Sequence, residues 1–250
     1  MRISAVFTLL FLTGCSGITP PQDFVYQEIK TPYFTLASWQ KTSKISDSQR
    51  IYIEGDGNAF TSSGIPSSNP TPKGTLLREI AFSDPASEVI YLARPCQFIK
   101  DASCRKEYWT TGRFAPEIIS SYCSALQELS GNKKILTLIG YSGGAMIAGL
   151  AAVKCPALNI RKVITIAGNL DHREWTSFHG DTPLVHSLNL ADFRNDFSRL
   201  PQHHFIGEKD DIIPPMLSKK AITDQSTITV ISKADHASGW HKSFPAIHNE

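Results

Sequence analysis

The residues best suited to do chemistry in this sequence are Gly140-Tyr141-Ser142-Gly143-Gly144, a serine with a glycine two residues to either side. A serine hydroxyl is a weak nucleophile unless a base takes its proton and a third group orients that base. The flanking segments suit such a serine. The apolar run Lys134-Ile135-Leu136-Thr137-Leu138-Ile139 reads as a buried strand, and the small-residue run Ala145-Met146-Ile147-Ala148-Gly149-Leu150-Ala151-Ala152-Val153 reads as a helix. Gly-x-Ser-x-Gly between strand and helix is the form of a nucleophile elbow. The sharp turn forces the serine into a strained backbone conformation, and the glycines let strand and helix pack closely. The hydroxyl then stands clear of the sheet edge, at the positive end of the helix dipole.

The elements that must position this turn follow from periodicity and turn residues. Weakly alternating segments at 24–29 and 33–39 read as antiparallel edge strands, after a tether containing Thr19-Pro20-Pro21. Strands are predicted at 50–53, 88–92, 161–167, 203–206 and 227–231, and helices at 75–82, 115–129, 215–222 and 240–247. Residues 61–72 form a Ser/Pro/Gly/Asn-rich loop, and 94–113 a polar excursion. Residues 168–200 lack periodicity but hold Trp175, Phe178, Phe193 and Phe197, as a small cap or pocket wall would. Strands alternating with helices give an α/β fold, a mainly parallel sheet covered on both faces. Active residues in such a sheet lie at the strands' carboxyl ends.

Downstream of Ser142, the carboxylates that follow a strand are in Gly207-Glu208-Lys209-Asp210-Asp211-Ile212-Ile213-Pro214. This segment closely resembles the Gly-x-x-Asp-x-Ile/Val-x-Pro acid loop of the α/β-hydrolases, whose partners follow in the order Ser, acid, His. The resemblance covers roughly residues 50–245 and implies the α/β-hydrolase fold with a small cap at 168–200. It places the acid at Asp210, with Asp211 the neighbour open to confusion with it. Of eight histidines, His203 and His204 lie in a predicted strand, His172, His179 and His186 in the cap region, and His248 in the tail. The family's base belongs on the loop leaving the last strand, which is Ala234-Asp235-His236-Ala237-Ser238-Gly239-Trp240. That makes His236 the expected base and His241 the runner-up. The resemblance also implies oxyanion donors at the amide of Gly143 and, from Glu54-Gly55-Asp56-Gly57, at the amide of Asp56. Many relatives carry His-Gly where this chain has Glu54-Gly55. Two further segments, Tyr91-Leu92-Ala93-Arg94-Pro95-Cys96-Gln97 and Ala167-Gly168-Asn169-Leu170-Asp171, look like signatures of a subgroup. Both follow predicted strands, so Arg94, Gln97, Asn169 and Asp171 are candidates either to line the pocket or to fasten loops to the sheet end. Residues 94–113 and 168–200 flank the expected pocket.

The N-terminus adds a location. Met1-Arg2 is a positive n-region, residues 3–12 are an apolar stretch too short to span a bilayer as a normal helix, and Leu12-Thr13-Gly14-Cys15 resembles the lipobox of bacterial lipoproteins. The resemblance implies a signal peptide at 1–14 and lipidation of Cys15. It also implies a lipid-anchored tether and edge strand at 15–45 and a hydrolase domain at 46–250. Ser16 after the cysteine points to the outer membrane, facing the periplasm. With Cys15 set aside from five cysteines, Cys96, Cys104, Cys123 and Cys155 allow three pairings. Cys96–Cys104 with Cys123–Cys155 is the expected one, stapling a polar loop and joining the helices around the elbow strand.

At 250 residues, 41% hydrophobic and 19% charged, the chain has ample material for a folded core. A net charge of +2 gives no argument for a nucleic-acid partner. Cys-x-x-Cys is absent and the scattered histidines form no recognisable ligand set, so the sequence requires no metal or other cofactor. The expectation is a serine hydrolase with the triad Ser142, Asp210 and His236, acting on a small-molecule or lipid-like ester, with the membrane as partner through Cys15. A peptidase or amidase with the same triad and a non-catalytic surface lipoprotein are the alternatives.

Overall fold

A computed structural model describes residues 19–131 and 134–250. The expected signal peptide and the expected lipidation at Cys15 fall outside the described residues. Eight strands form one sheet in the order β1-β2-β4-β3-β5-β6-β7-β8. They are β1 (Val25–Lys30), β2 (Thr35–Lys41), β3 (Ser48–Ile53), β4 (Val89–Leu92), β5 (Ile135–Tyr141), β6 (Ile160–Ile166), β7 (Gln202–Gly207) and β8 (Ile228–Ile231). From β4 to β8 every pairing is parallel, whereas β1 and β2 add antiparallel at one edge. The predicted α/β sheet is therefore observed, with the N-terminal segment built into it.

The strands alternate in what they bury, as a period of two requires. Ile51 and Ile53 of β3 and Leu136 and Leu138 of β5 join a core on one face. Tyr52 and Ile139 join a second core on the other. The first core is closed by α2 (Pro116–Ser130) and α3 (Gly143–Lys154), through Ile118, Tyr122, Leu126, Met146 and Leu150. The second is closed by α1 (Leu76–Phe82), Trp240 and Ile247. Pro116 opens α2, where a missing N–H costs nothing, and Gly131 ends it in a left-handed conformation.

Both expected disulfides are present, Cys96–Cys104 with Cα atoms 5.6 Å apart and Cys123–Cys155 with Cα atoms 5.5 Å apart. The second ties α2 to the end of α3 across 32 residues of chain. By the chain-entropy model a loop of that length stabilises the fold by about 3.7 kcal/mol. Residues 168–200 hold α4 (His172–His179) and a four-residue α5 (Arg194–Phe197). Among the described residues no helix is long and apolar enough to cross a membrane. α6 (Pro215–Ala221) and α7 (Phe244–His248) complete the helices.

Candidate active site

Ser142 sits at the carboxyl end of β5 with φ 53° and ψ −122°, a left-handed-side conformation that a non-glycine residue adopts only when its surroundings impose it. The surroundings are visible. Its N–H donates to the Ile166 carbonyl at 3.0 Å, and its carbonyl accepts from the N–H groups of Ala145 and Asn169, each at 3.1 Å. A side chain at Gly140 would overlap the Gly144 carbonyl oxygen, and one at Gly144 would overlap that of Ile53. Strand, turn and helix thus approach as closely as the Gly-x-Ser-x-Gly spacing predicts.

The acid and the base come from the loops after β7 and β8. His236 Nε2 lies 3.0 Å from Ser142 Oγ, and His236 Nδ1 lies 2.9 Å from Asp210 Oδ2. Asp210 is almost wholly buried, and its Oδ1 accepts from the N–H groups of Ile212 at 2.9 Å and Ile213 at 2.7 Å. Those two bonds aim the other oxygen at the imidazole. The Tyr141 hydroxyl donates to the His236 carbonyl at 3.0 Å, which ties the histidine loop to the residue preceding Ser142. Asp235 fixes the same loop by accepting from Ser238 Oγ at 2.6 Å and from the amides of Ala237 and Ser238. Led by the Ser238 hydroxyl, these donors hold the Asp235 carboxyl below its ordinary range. Asp211 is exposed on the outer side of the acid loop. His241 is also exposed and faces Glu79 at 3.6 Å, so it is His236 and Asp210 that converge on Ser142.

On the other side of Ser142 lies the loop after β3. Glu54 is buried; its Oε1 accepts from the N–H of Gly55 at 2.8 Å and its Oε2 from the Tyr91 hydroxyl at 2.6 Å. Burial pushes the Glu54 carboxyl up, and these bonds and the nearby Arg78 and Arg94 only partly offset it. The Glu54 carboxylate therefore occupies the Gly55 N–H. Among the described residues no group accepts from the Asp56 N–H. The Gly143 N–H, at the first position of α3, lies outside the helix's own ladder. Asp56, Ser142 and Gly143 share one cavity wall.

That cavity has a volume of about 710 Å³ and is open to solvent. Its apolar walls come from Phe60, Leu76, Leu77, Trp175, Ile213 and Trp240. The placement corrects two expectations. The first concerns the walls: 94–113 contributes Arg113 and 168–200 Asn169 and Trp175, while a large share of the rest comes from α1 and residues 56–60 and 72–75, of which Asp56 alone carries an expected site role. The second concerns the four candidate lining residues, of which Asn169 lines this cavity and the others do not. Arg94 and Gln97 are buried behind the loop after β3. Gln97 accepts from the Arg94 N–H at 3.0 Å and donates to the Gly55 carbonyl at 2.9 Å. Asp171 caps α4 by accepting from the N–H groups of Arg173 and Glu174, and it borders a separate, smaller cavity. These three fasten loops to the sheet end.

Sequence reasoning missed Arg113, whose guanidinium lines the cavity between the rings of Phe60 and Trp175. Its only signal was a cation directly before the apolar start of α2. Trp175 Nε1 donates to the Ile212 carbonyl at 2.7 Å, so α4 is also tied to the acid loop. Among the described residues no group of three or more His, Cys, Asp or Glu side chains is placed to hold a metal ion.

No family model matches the chain, and no curated protein matches it in sequence. Solved structures match it in shape. An esterase of Pyrococcus furiosus superposes with a TM-score of 0.64 at 14% identity, over 94% of this chain and 96% of that one. Est1E from Butyrivibrio proteoclasticus gives a TM-score of 0.62 at 10% identity, over 90% and 94%. An alpha-beta serine hydrolase homologue from Coxiella burnetii gives 0.56 at 15%, over 90% and 94%. At such low identity the likeness is one of architecture, and with the sheet order and the loop positions above, the chain has the α/β-hydrolase fold.

Proposed function

We propose that this protein is a serine hydrolase that cleaves carboxylic esters through an acyl-enzyme intermediate. The observation that carries the reading is the unbroken run from Ser142 Oγ through both ring nitrogens of His236 to a buried, doubly amide-bonded Asp210. In this mechanism His236 Nε2 takes the Ser142 proton as Oγ bonds to the ester carbonyl carbon. The carbonyl oxygen becomes an oxyanion that accepts from the N–H groups of Gly143 and Asp56. His236 then passes its proton to the leaving alkoxide as the C–O bond breaks, which leaves an acyl group on Ser142. A water molecule, deprotonated by His236, attacks that acyl carbon and regenerates the serine with release of the carboxylate. Asp210 holds the Nδ1–H tautomer and stabilises the imidazolium.

An ester is favoured because an alkoxide leaves more readily than an amine. The cavity size and its aromatic and aliphatic walls suit a small-molecule or lipid-like ester of moderate length. The esterases among the structural neighbours support the same reaction class. The reading also takes the protein to the bacterial cell envelope, anchored by lipid on Cys15 and facing the periplasm. Its two disulfides support an oxidising compartment. Incorporation of labelled palmitate that is lost in Cys15→Ser tests the anchor.

The chemical test is labelling with a fluorophosphonate probe. The wild type is expected to be labelled at Ser142, and Ser142→Ala to lose both the label and ester turnover, by ~10⁵-fold or more. Labelling and turnover that survive Ser142→Ala would overturn the proposal.

A further inference from the structure

A carboxylate is an unfavourable neighbour for an oxyanion, yet Asp56 is packed against the residue that follows the nucleophile. A side chain added at Gly143 would overlap Asp56 Oδ1, so the carboxylate lies on the Cα of the residue whose N–H is to receive negative charge. Unpaired, it would repel the charge that develops on the substrate oxygen. It is not unpaired. Arg94 Nη1 donates to Oδ1 at 2.9 Å, and Arg113 Nη1 donates to Oδ2 at 2.6 Å. Arg94 Nη2 also donates to the Arg113 carbonyl, and Arg113 Nε donates to the Thr110 carbonyl at 2.7 Å. The Arg94 guanidinium lies over the ring of Phe114 at 5.2 Å.

Both arginine side chains are almost fully buried, at 5% and 7% exposure, against 23% for Asp56. Burying two guanidiniums is costly, and neutral bonds such as those of Gln97 would suffice to fasten a loop. Two fixed cations around one fixed anion leave the cluster with a net charge of +1 behind Gly143. Burial opposes ionisation of Asp56, but Arg113 and then Arg94 outweigh it and hold the carboxyl below its ordinary range, so the anion is present throughout neutral pH.

Building on the hydrolase reading, we propose that Arg94 and Arg113 are positioning residues for the oxyanion site. Acting through Asp56, they cancel its charge and make the cluster behind Gly143 net cationic, which favours the transition state over bound substrate. Such an effect belongs in kcat rather than KM.

The test is steady-state ester hydrolysis by the full chain and three variants. Arg113→Gln, which takes the cluster from net +1 to net zero, is expected to lower kcat ~10²-fold with KM changed less than ~3-fold. Adding Asp56→Asn to that variant restores the net charge of +1 and is expected to recover at least ~10-fold of the loss. Arg113→Lys keeps the charge without the fork and is expected to stay within ~10-fold of wild type. A double variant no faster than Arg113→Gln, or a loss confined to KM, would overturn the proposal. Should Arg113→Gln not fold, by near-ultraviolet circular dichroism, Arg113→Lys decides: a folded lysine variant that loses ~10²-fold or more in kcat overturns it. A wild type with neither ester turnover nor Ser142 labelling overturns the hydrolase reading and this proposal with it. An active wild type without rescue overturns this proposal alone.

Discussion

The two sides of Ser142 are fastened in different ways. On the His236 side each loop holds its own functional residue. Asp210 is aimed by the amides two and three residues on, and Asp235 turns the histidine loop through Ala237 and Ser238. On the Asp56 side the loop is held from outside. Glu54 is bonded by Tyr91 across 37 residues, Gly55 by Gln97 across 42, and Asp56 by Arg94 and Arg113 across 38 and 57. A locally built loop keeps its aim when distant parts of the chain change. A loop held from outside transmits such changes to the site. The first half of the site should therefore fail chiefly through residues of its own loops, and the second chiefly through residues distant in the chain.

Among changes to the two flanks of Ser142, the largest effect should come from Asp210→Asn. Asn retains an oxygen for the Ile212 and Ile213 amides, so the loop should survive, but its amide group favours the wrong imidazole tautomer. A fall in kcat of ~10⁴-fold with an unchanged melting temperature is expected. Unfolding of this variant would show that the acid loop is not self-supporting. On the opposite side, Gln97→Ala removes the acceptor of the Arg94 N–H and the donor to the Gly55 carbonyl. Although Gln97 lies behind the cavity wall, kcat should fall ~10-fold as the loop after β3 shifts. Wild-type turnover in Gln97→Ala would break the contrast.

The smallest effect is a pH signature of Glu54. Its folded carboxyl is raised above the ordinary value of 4.5, so the folded state binds more protons than the unfolded state between those two values. The stability this contributes is complete below 4.5 and is lost as pH rises through the folded value. Glu54→Gln cannot ionise. Its melting temperature should therefore improve relative to wild type as pH is raised from 4.5 towards neutrality. A difference that stays constant with pH would mean that Glu54 is not destabilised by ionisation.

The same contrast decides what the sequence could reveal. The strand-elbow-helix unit, the acid loop and the histidine loop are short and continuous, so residue type and spacing carried them, and all three are found where strands end. The sheet was legible because β-branched runs of four to seven residues alternate with amphipathic segments. Arg94 and Gln97 were singled out correctly as residues following a strand, but one side of that choice was open. Whether such a residue faces a cavity or the back of a neighbouring loop depends on how β3 and β4 sit together, and no local pattern encodes that. Arg113 and the wall from Phe60 and α1 escaped for the same reason, since they reach the site only through packing. Residues 168–200 gave no periodicity because their helices are short, eight residues in α4 and four in α5.

The central claim is that Ser142 carries an acyl group during turnover, and trapping that intermediate tests it most directly. Wild-type protein quenched in acid during hydrolysis of a p-nitrophenyl ester, then digested and measured by mass spectrometry, should show the acyl mass on the peptide containing Ser142. The acyl-Ser142 adduct should accumulate with a burst of nitrophenol equal to the enzyme concentration. Ester turnover with no acylated Ser142, or with the acyl group on another residue, would contradict the account.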